Sequence, residues 1–231
     1  MVRIDNVKVY DLKESVIASG NAMRLEPVPY DEVEFQKGLL RMKRLVGASQ
    51  TGNIRCHDNA LTGIRVSFDI YYPQYWTPEF QRYHFADIVT SSSKMHRLLK
   101  MDLDKACNKY VDKQHINRIQ DYVDLYNHLE GLQPDEWFEG HTFTLRNGEV
   151  IHCKTKEEAL YTCWMIILSN CPLGLELFMR VSTNYKQLQT IYWQRKNHKL
   201  KEDWGPFCKM IEELPYFNEL ILGKNSQENE R

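Results

Sequence analysis

The chain lacks the short motifs that mark the commonest cofactor and metal sites. Its six cysteines include no C-x-x-C pair, which argues against a zinc knuckle. In a chain of 231 residues such scattered cysteines favour reduced, partly buried thiols over a disulfide framework. No Gly-x-Gly-x-x-Gly or P-loop pattern occurs, so the standard dinucleotide and nucleoside triphosphate folds have no support.

The chain also has no excess of basic charge and no long apolar run. Its formal net charge is −1, which argues against a duplex nucleic-acid binder but leaves room for a local basic pocket that holds a small anion. The longest apolar run, Cys163–Leu168, is far shorter than the ~20 residues of a membrane span. The N-terminal residues lack the apolar segment of a secretory signal. We therefore expect a cytoplasmic protein that binds neither duplex nucleic acid nor a membrane.

Hydrophobic periodicity predicts an α+β fold that is rich in helices and has a small antiparallel sheet. The predicted strands are Val7–Leu12 and Ile64–Ile70, and the Asn147-Gly148 turn predicts a hairpin within Phe143–Cys153. The predicted helices are Val33–Val46, Met95–Tyr110, Ile116–Leu129, Lys156–Ser169, Asn184–Lys199 and Pro206–Leu214. Gly47–Asn53 is predicted to be a loop. We expect a single domain over residues 1–222, an inserted helical and hairpin region around residues 102–156, and a polar tail over residues 223–231.

The predicted helix from Asn184 has one face with polar residues at both ends and apolar residues between them, which we call the stripe. Asn184, Leu188, Ile191 and Arg195 follow one another at intervals of three or four residues and therefore share one helix face. Leu188 and Ile191 should face the core, which places Arg195 beside apolar surface. A desolvated guanidinium needs an anion or several acceptors. The alternatives to a ligand are an internal Arg–carboxylate pair or a side chain that reaches back to solvent.

A second helix is predicted to begin at Thr77-Pro78-Glu79, where a hydroxyl, a proline and an acid suit a first turn. It would carry Arg82-Tyr83-His84, whose side chains fan out by about 100° each, so that one of them faces a ligand or a subunit. The alternative is a solvated helix face with Tyr83 in the core. Ser91–Lys94 offers hydroxyls and an ammonium group suited to a phosphate, although a polar turn is the commoner explanation.

These elements together resemble the flavin-dependent thymidylate synthases, whose signature is Arg-His-Arg, seven residues, then Ser. Here the corresponding residues are Arg82-Tyr83-His84, seven residues, then Ser92. Upstream, His57, the predicted strand and Pro73 resemble the family's His, strand and proline. Downstream, Pro172 is followed by Asn184 and, eleven residues later, by Arg195, as in the family. The N-terminal segment also resembles the family's first strand and helix.

The resemblance implies a uracil deoxynucleotide as substrate, with conversion of dUMP to dTMP or related chemistry at C5 of the pyrimidine, and FAD as cofactor. It also implies NADPH and methylenetetrahydrofolate as co-substrates and a homotetramer. By that resemblance Ser92 and Lys94 would bind the nucleotide phosphate, and Arg195 would contact the uracil ring as the catalytic residue. The residues implied at the flavin site are His57, Arg82, His84, Asn184 and Lys186. Neither the resemblance nor the Cys56-His57-Asp58 sequence indicates a metal.

Several positions depart from the family pattern. Tyr83 stands where the family has His, His84 where it has Arg, and Glu79 where it has Gln. Thr90 replaces an acid, and Lys94 and Lys186 stand where arginines are expected, which keeps the charge but loses the bidentate fork. Three hypotheses follow: a flavin-dependent enzyme acting on a uracil deoxynucleotide, a nucleotide- or flavin-binding protein of the same fold without methyl transfer, and a structural protein that reuses the scaffold.

Overall fold

A computed structural model describes residues 1–51, 57–133 and 140–224. The chain forms two compact units. The first comprises residues 1–72, 76–91 and 178–231, and the second comprises residues 73–75 and 92–177. The model confirms the predicted class, a helix-rich α+β fold with a small antiparallel sheet.

The first unit is built on a four-stranded sheet. Its strands are β1 (Arg3–Tyr10), β2 (Arg65–Pro73), β3 (Asp87–Ser91) and β6 (Glu176–Asn184), in the order β1-β2-β6-β3. The pairs β1–β2 and β3–β6 are antiparallel. The predicted strands at Val7 and Ile64 are therefore confirmed, with shifted ends. β1 ends at Tyr10 because Asp11 adopts a left-handed conformation, φ 54°, immediately before the first helix.

Alternation along β2 explains how the sheet covers the core. Val66, Phe68 and Ile70 are fully buried, whereas the residues between them are half-buried on the opposite face. On that opposite face Asp69 accepts hydrogen bonds from Asn6 Nδ2 at 2.6 Å and from Arg180 Nη1 at 3.0 Å. Successive side chains of a strand point to opposite faces, so one face can be apolar while the other carries a polar network.

The helices are divided between the two units. The first unit contains α1 (Leu12–Ala18), α2 (Glu32–Thr51), α3 (Thr77–Phe80), α8 (Tyr185–Arg195) and α9 (Lys201–Glu212). The second contains α4 (Lys94–Arg97), α5 (Leu103–Ala106), α6 (Lys113–Gly131) and α7 (Lys156–Ser169). A π-helical segment, Asn218–Leu222, follows α9.

An aromatic cluster fills the core of the first unit beneath the sheet. Trp76 stacks on Phe80 with ring centroids 4.8 Å apart and lies 4.7 Å from Trp204. Phe207 and Phe68 extend the cluster to β2 through an edge-to-face contact at 5.7 Å. Aromatic pairs at these separations add to the free energy gained from burial alone.

The second unit packs α6 and α7 against a two-stranded hairpin, β4 (His141–Thr144) and β5 (Val150–Cys153). The hairpin confirms the prediction, and Gly148 supplies the positive φ of 83° that its turn requires. α7 has the predicted bounds and begins with a capping box formed by Thr155 and Glu158. Its core is aliphatic and includes Ile119, Val123 and Ile167.

Four predicted elements were wrong in whole or in part, and in the first two a tertiary contact overrode the local pattern. Residues 47–51 of the predicted loop are helical, since α2 packs closely on the π-helical segment and Gln50 Nε2 donates to Ile221 O at 2.6 Å. Residues 52–53 of that loop lie outside the described residues. The predicted helix Met95–Tyr110 is broken into short turns of helix, with Asn108 N bonded to Gly174 O at 2.9 Å.

The third error concerns Arg82-Tyr83-His84, which lie in turns after α3 and not on a helix. α3 ends at Phe80, and Tyr83 N donates to Phe80 O at 3.0 Å. A helix does start at Thr77-Pro78-Glu79, but the prediction that the Thr77 hydroxyl caps it was wrong, because Thr77 is already helical and the N-cap is Trp76, without a side-chain cap bond. The predicted start at Pro206 was wrong, because α9 already begins at Lys201.

Candidate functional site

Helix α8 is the element around which the predicted site residues of the first unit gather. It begins after Asn184, whose buried side chain caps it by accepting a hydrogen bond from Gln187 N at 2.9 Å. Leu188 and Ile191 are fully buried, which confirms the apolar middle of the stripe. The helix therefore presents Asn184 at one end and Arg195 at the other.

Arg195 is held by a network of side chains at the C-terminal end of α8. Its Nε donates to Tyr83 Oη at 2.7 Å and its Nη1 donates to Glu79 Oε2 at 3.1 Å. The guanidinium carbon lies 4.6 Å from the centre of the Trp204 ring, within cation–π range. Only 13% of the side chain is exposed. The internal Arg–carboxylate pair, an alternative left open by the sequence, is thus present.

The carboxylate of Glu79 connects this network to α9. Glu79 Oε2 also accepts a hydrogen bond from Trp204 Nε1 at 2.9 Å, and His198 Nε2 lies 3.7 Å away. Trp204 is fully buried, so its indole N–H needs an acceptor, and Glu79 provides it. Glu79 therefore neutralises Arg195 and satisfies a buried donor at the same time.

Tyr83 is a buried support for Arg195. Its hydroxyl donates to Gln194 Oε1 at 3.0 Å while accepting from Arg195 Nε. Burial raises the pKa of the Tyr83 phenol, and the hydrogen bond from Arg195 opposes this in part. The phenol is consequently protonated at neutral pH and fixes the guanidinium by donating on one side and accepting on the other.

The N-terminal end of α8 carries a second ion pair. Lys186 Nζ donates to Asp58 Oδ2 at 2.6 Å and to Gln189 Oε1 at 3.2 Å. The Asp58 side chain is almost fully buried, and its Oδ1 has no hydrogen-bond donor among the described residues. Buried carboxylate oxygens are normally satisfied, so this atom is suited to a donor from outside the chain. His57, the neighbour of Asp58, is exposed.

The turns after α3 bring the remaining predicted residues to α8. Phe85 N donates to Gln187 Oε1 at 3.3 Å, and Phe85 O accepts from Thr183 Oγ1 at 2.8 Å. The exposed His84 next to it is therefore anchored near the N-terminal end of the helix. Arg82, also exposed, precedes the tyrosine that holds Arg195.

Ser92 and Lys94 belong to the second unit. Ser92 follows β3 and Lys94 is the first residue of α4, and both are half-buried. Burial raises the pKa of the Cys171 thiol, and the charge of Lys94 opposes that rise. Asn184, Lys186 and Arg195 thus lie on α8 or cap it, whereas for His57, Arg82 and His84 the described bonds to α8 are made by their sequence neighbours Asp58, Tyr83 and Phe85.

Sequence reasoning missed Glu79, Asp58 and Trp204 as parts of the site. Glu79 and Tyr83 were both visible as departures from the family pattern, and the structure shows that the two departures meet on one guanidinium. Asp58 was visible only as the neighbour of His57. Trp204 gave no signal, because its contact with Arg195 depends on how α9 packs beside α8.

Comparison with known proteins supports the fold. No family model matches the chain, and no curated protein matches its sequence. Among solved structures, flavin-dependent thymidylate synthase ThyX from Helicobacter pylori, complexed with FAD and dUMP, is similar with a TM-score of 0.58 and 16% identity, covering 95% of this chain and 97% of that one. A second structure of that enzyme with FAD and dUMP gives 0.55 and 18%, over 96% and 97%.

A third similar structure is a UMP/dUMP methylase, PolB from Streptomyces cacaoi, bound with 5-Br dUMP. Its TM-score is 0.55 and its identity 11%, over 97% of this chain and 96% of that one. At these identities the likeness establishes the fold, which is the one expected from the sequence. Within the described ranges, no helix is long and apolar enough to cross a membrane, and no group of three or more His, Cys, Asp or Glu could hold a metal ion.

Proposed function

We propose that this protein is an enzyme that acts on a uracil deoxynucleotide with FAD as its cofactor, as in the flavin-dependent thymidylate synthases it resembles. The observation that carries the proposal is the environment of the Arg195 guanidinium. A cationic fork stands at the end of α8, fixed from two sides by Tyr83 and Glu79. Nη2 of that guanidinium makes no hydrogen bond to a described residue, so its donors are available to an anionic oxygen.

Side chains at and near the N-terminal end of α8, together with Arg82 in the turn beside Tyr83, fit a flavin dinucleotide. His57, Arg82 and His84 are exposed and offer a cation and two imidazoles for an anionic cofactor. Asp58 Oδ1 is a buried acceptor without a donor among the described residues. The Lys186 ammonium group donates two hydrogen bonds within the chain and retains a third donor. The side-chain oxygen of Asn184 already accepts a hydrogen bond as the cap of α8. These are the residues we propose to hold FAD.

Arg195 is proposed to stabilise negative charge that develops on the pyrimidine ring. A preorganised donor aimed at developing charge lowers the barrier without reorganising during the reaction. Bound FAD would supply the hydride chemistry that no side chain can provide. Ser92 and Lys94, with a hydroxyl and an ammonium group, remain our proposed phosphate ligands. NADPH, methylenetetrahydrofolate, the homotetramer and the cytoplasmic location also remain predictions.

A second candidate is a nucleotide-binding protein of this fold without methyl transfer. Glu79 favours it, because this carboxylate already neutralises the guanidinium that a uracil ring would engage. Nε and Nη1 are already bonded within the chain, and a nucleotide would have to compete with Glu79 for the charge of the guanidinium.

An absorption spectrum of the purified protein, recorded after FAD addition and desalting, tests the flavin first. Retained oxidised-flavin bands support the proposal, and a dUMP methylation assay then compares the wild-type protein with Arg195→Lys and Lys196→Gln. We expect Arg195→Lys to lose about a hundredfold or more in turnover, because Lys cannot donate as a fork. The neighbouring Lys196 should be dispensable.

Calorimetric titration with dUMP separates the two candidates. Binding without methylation, with or without flavin, would establish the second candidate. A colourless protein that binds no uracil nucleotide would overturn both. Equal turnover in the wild type and Arg195→Lys would remove Arg195 from the mechanism.

A further inference from the structure

The second unit contains an open cavity of about 1020 Å³ that none of the predicted site residues lines. Its walls come from α6, α7 and the β4–β5 hairpin. Ligand cavities in proteins measure roughly 300–1,000 Å³, so this cavity is large enough for an organic molecule of nucleotide size.

The basic side chains that line the cavity are Arg118, Arg146 and His115, and its lining residues include no aspartate or glutamate. Neither arginine forms an ion pair with a residue in the described part of the chain. Asp112, which lies near His115, caps α6 by accepting from His115 N at 2.9 Å. Glu149, beside the hairpin turn, is bonded to Asn147. Both guanidiniums line one cavity without a carboxylate partner among the described residues, and a guanidinium can bind phosphate in bidentate fashion.

The basic groups are set on ordered elements. His115, Arg118 and Tyr122 lie three or four residues apart and share one face of α6. The His115 ring is fixed by a hydrogen bond between its Nε2 and Asn170 O at 3.0 Å. Arg146 lies in the hairpin turn, which Asn147 braces by accepting from Glu149 N at 3.0 Å.

The remaining wall is aromatic and apolar. Tyr122 and Tyr161 offer their rings, and Ile119, Ile151 and Met165 add apolar surface. Tyr161 is exposed although it packs on Trp164 at 6.3 Å between ring centroids. A wall of this composition suits the face of a planar ring, while the arginines suit an anion.

We propose that this cavity binds a phosphorylated ligand that carries a planar ring, of the nucleoside diphosphate class. The site lies within the second unit and does not depend on the function proposed for the first. The two arginines bind the phosphates, and the tyrosines and aliphatic side chains contact the ring.

Calorimetric titration of the full chain with ADP, inorganic pyrophosphate and adenosine tests the proposal. We expect ADP to bind most tightly of the three, and Arg118→Gln and Arg146→Gln each to weaken it by about tenfold or more. Tyr161→Leu should weaken ADP binding but leave pyrophosphate binding unchanged. Lys100→Gln, which removes an exposed charge of the same unit outside the cavity, should bind ADP like the wild type.

Arg82→Gln and Arg195→Lys separate this site from the FAD and uracil nucleotide sites proposed in the first unit, because each should leave ADP affinity unchanged whatever it does to the binding of FAD or dUMP. Circular dichroism and the melting temperature confirm that each variant is folded. No binding of ADP at millimolar concentration, or equal affinity in the wild type and both arginine variants, would overturn the proposal. Pyrophosphate binding as tight as that of ADP would overturn the role of the ring.

Discussion

Arg195 of the first unit and the pair Arg118 and Arg146 of the second unit lie in opposite environments. In the first unit Arg195 is largely buried, bonded to Tyr83 and Glu79 and stacked on Trp204. In the second, Arg118 and Arg146 are exposed and line an open cavity. A buried guanidinium must have its donors satisfied, whereas water satisfies an exposed one. The first unit therefore bonds Nε and Nη1 of its arginine internally, whereas the second unit leaves two guanidiniums exposed to solvent or to a ligand.

The cores of the two units also differ, in the kind of side chain that fills them. The first relies on interlocking aromatic rings around Trp76 and Trp204, one of which also donates to the network. The second relies on aliphatic side chains between α6 and α7. Stability and the candidate site are thus coupled in the first unit through Trp204, whereas the arginines of the cavity in the second unit are exposed and lie outside its core.

The largest effect is expected from Trp204→Ala, which we compare with Ile167→Ala in the second core. Both residues are fully buried. Trp204→Ala should lower the free energy of unfolding by about 3–5 kcal/mol and Ile167→Ala by about 2–5 kcal/mol. Because Trp204 also supports Glu79 and Arg195, only the first variant should weaken dUMP binding. Chemical denaturation and titration with dUMP measure the two effects.

Trp193→Ala is the control for the aromatic substitution, since Trp193 is 38% exposed on α8. It should cost less than about 1 kcal/mol. If Trp204→Ala left dUMP affinity unchanged, the coupling between core and site in the first unit would be refuted.

A smaller effect is expected from Glu79→Gln, which keeps the shape of the side chain and removes its charge. Loss of charge-assisted hydrogen bonds should lower the free energy of unfolding by about 1–3 kcal/mol, toward the low end because the carboxylate is partly exposed. Freed from its internal partner, Arg195 should bind dUMP about threefold to tenfold more tightly. Titration of dUMP at constant ionic strength measures the change.

Glu212→Gln controls for the loss of a carboxylate, because Glu212 lies at the end of α9 and accepts from Tyr192 on the same helix as Arg195. Its dUMP affinity should match that of the wild type. Weaker binding in Glu79→Gln would mean that Glu79 orients Arg195 for the ligand and does not compete with it.

The smallest effect is expected in the pH dependence of stability, from Asp69 on the polar face of the sheet. The hydrogen bond from Asn6, followed by that from Arg180, lowers the pKa of Asp69 below its ordinary value of 3.8. Because the folded pKa is the lower one, Asp69 stabilises the fold above about pH 4, and this contribution is lost as the pH falls through the folded pKa. Asp69→Asn should therefore flatten the fall in stability below pH 4.

Urea denaturation between pH 2 and pH 7 measures this dependence. Asp121→Asn, on the exposed face of α6 in the second unit, serves as the comparison and should leave the acid dependence as it is. An unchanged acid profile in Asp69→Asn would show that the network on the sheet does not contribute.

Periodicity located the long elements, because an amphipathic helix or an alternating strand carries its burial pattern in its own residues. α6, α7, β2 and the hairpin were predictable for this reason. Periodicity failed where contacts with residues distant in sequence determine whether a segment is helical. The last turn of α2 depends on the π-helical segment, and the segment after Lys94 is broken by a partner near Gly174.

The sequence by itself determined the fold class and the stripe of α8, since Leu188 and Ile191 bury themselves at helical spacing wherever the helix packs. It also identified Tyr83 and Glu79 as unusual for the family that the chain resembles. Only the tertiary structure decided that both side chains meet on Arg195 and that Trp204 joins them. A buried charge is satisfied by whichever groups the packing brings within hydrogen-bond distance, and these come from segments more than a hundred residues apart.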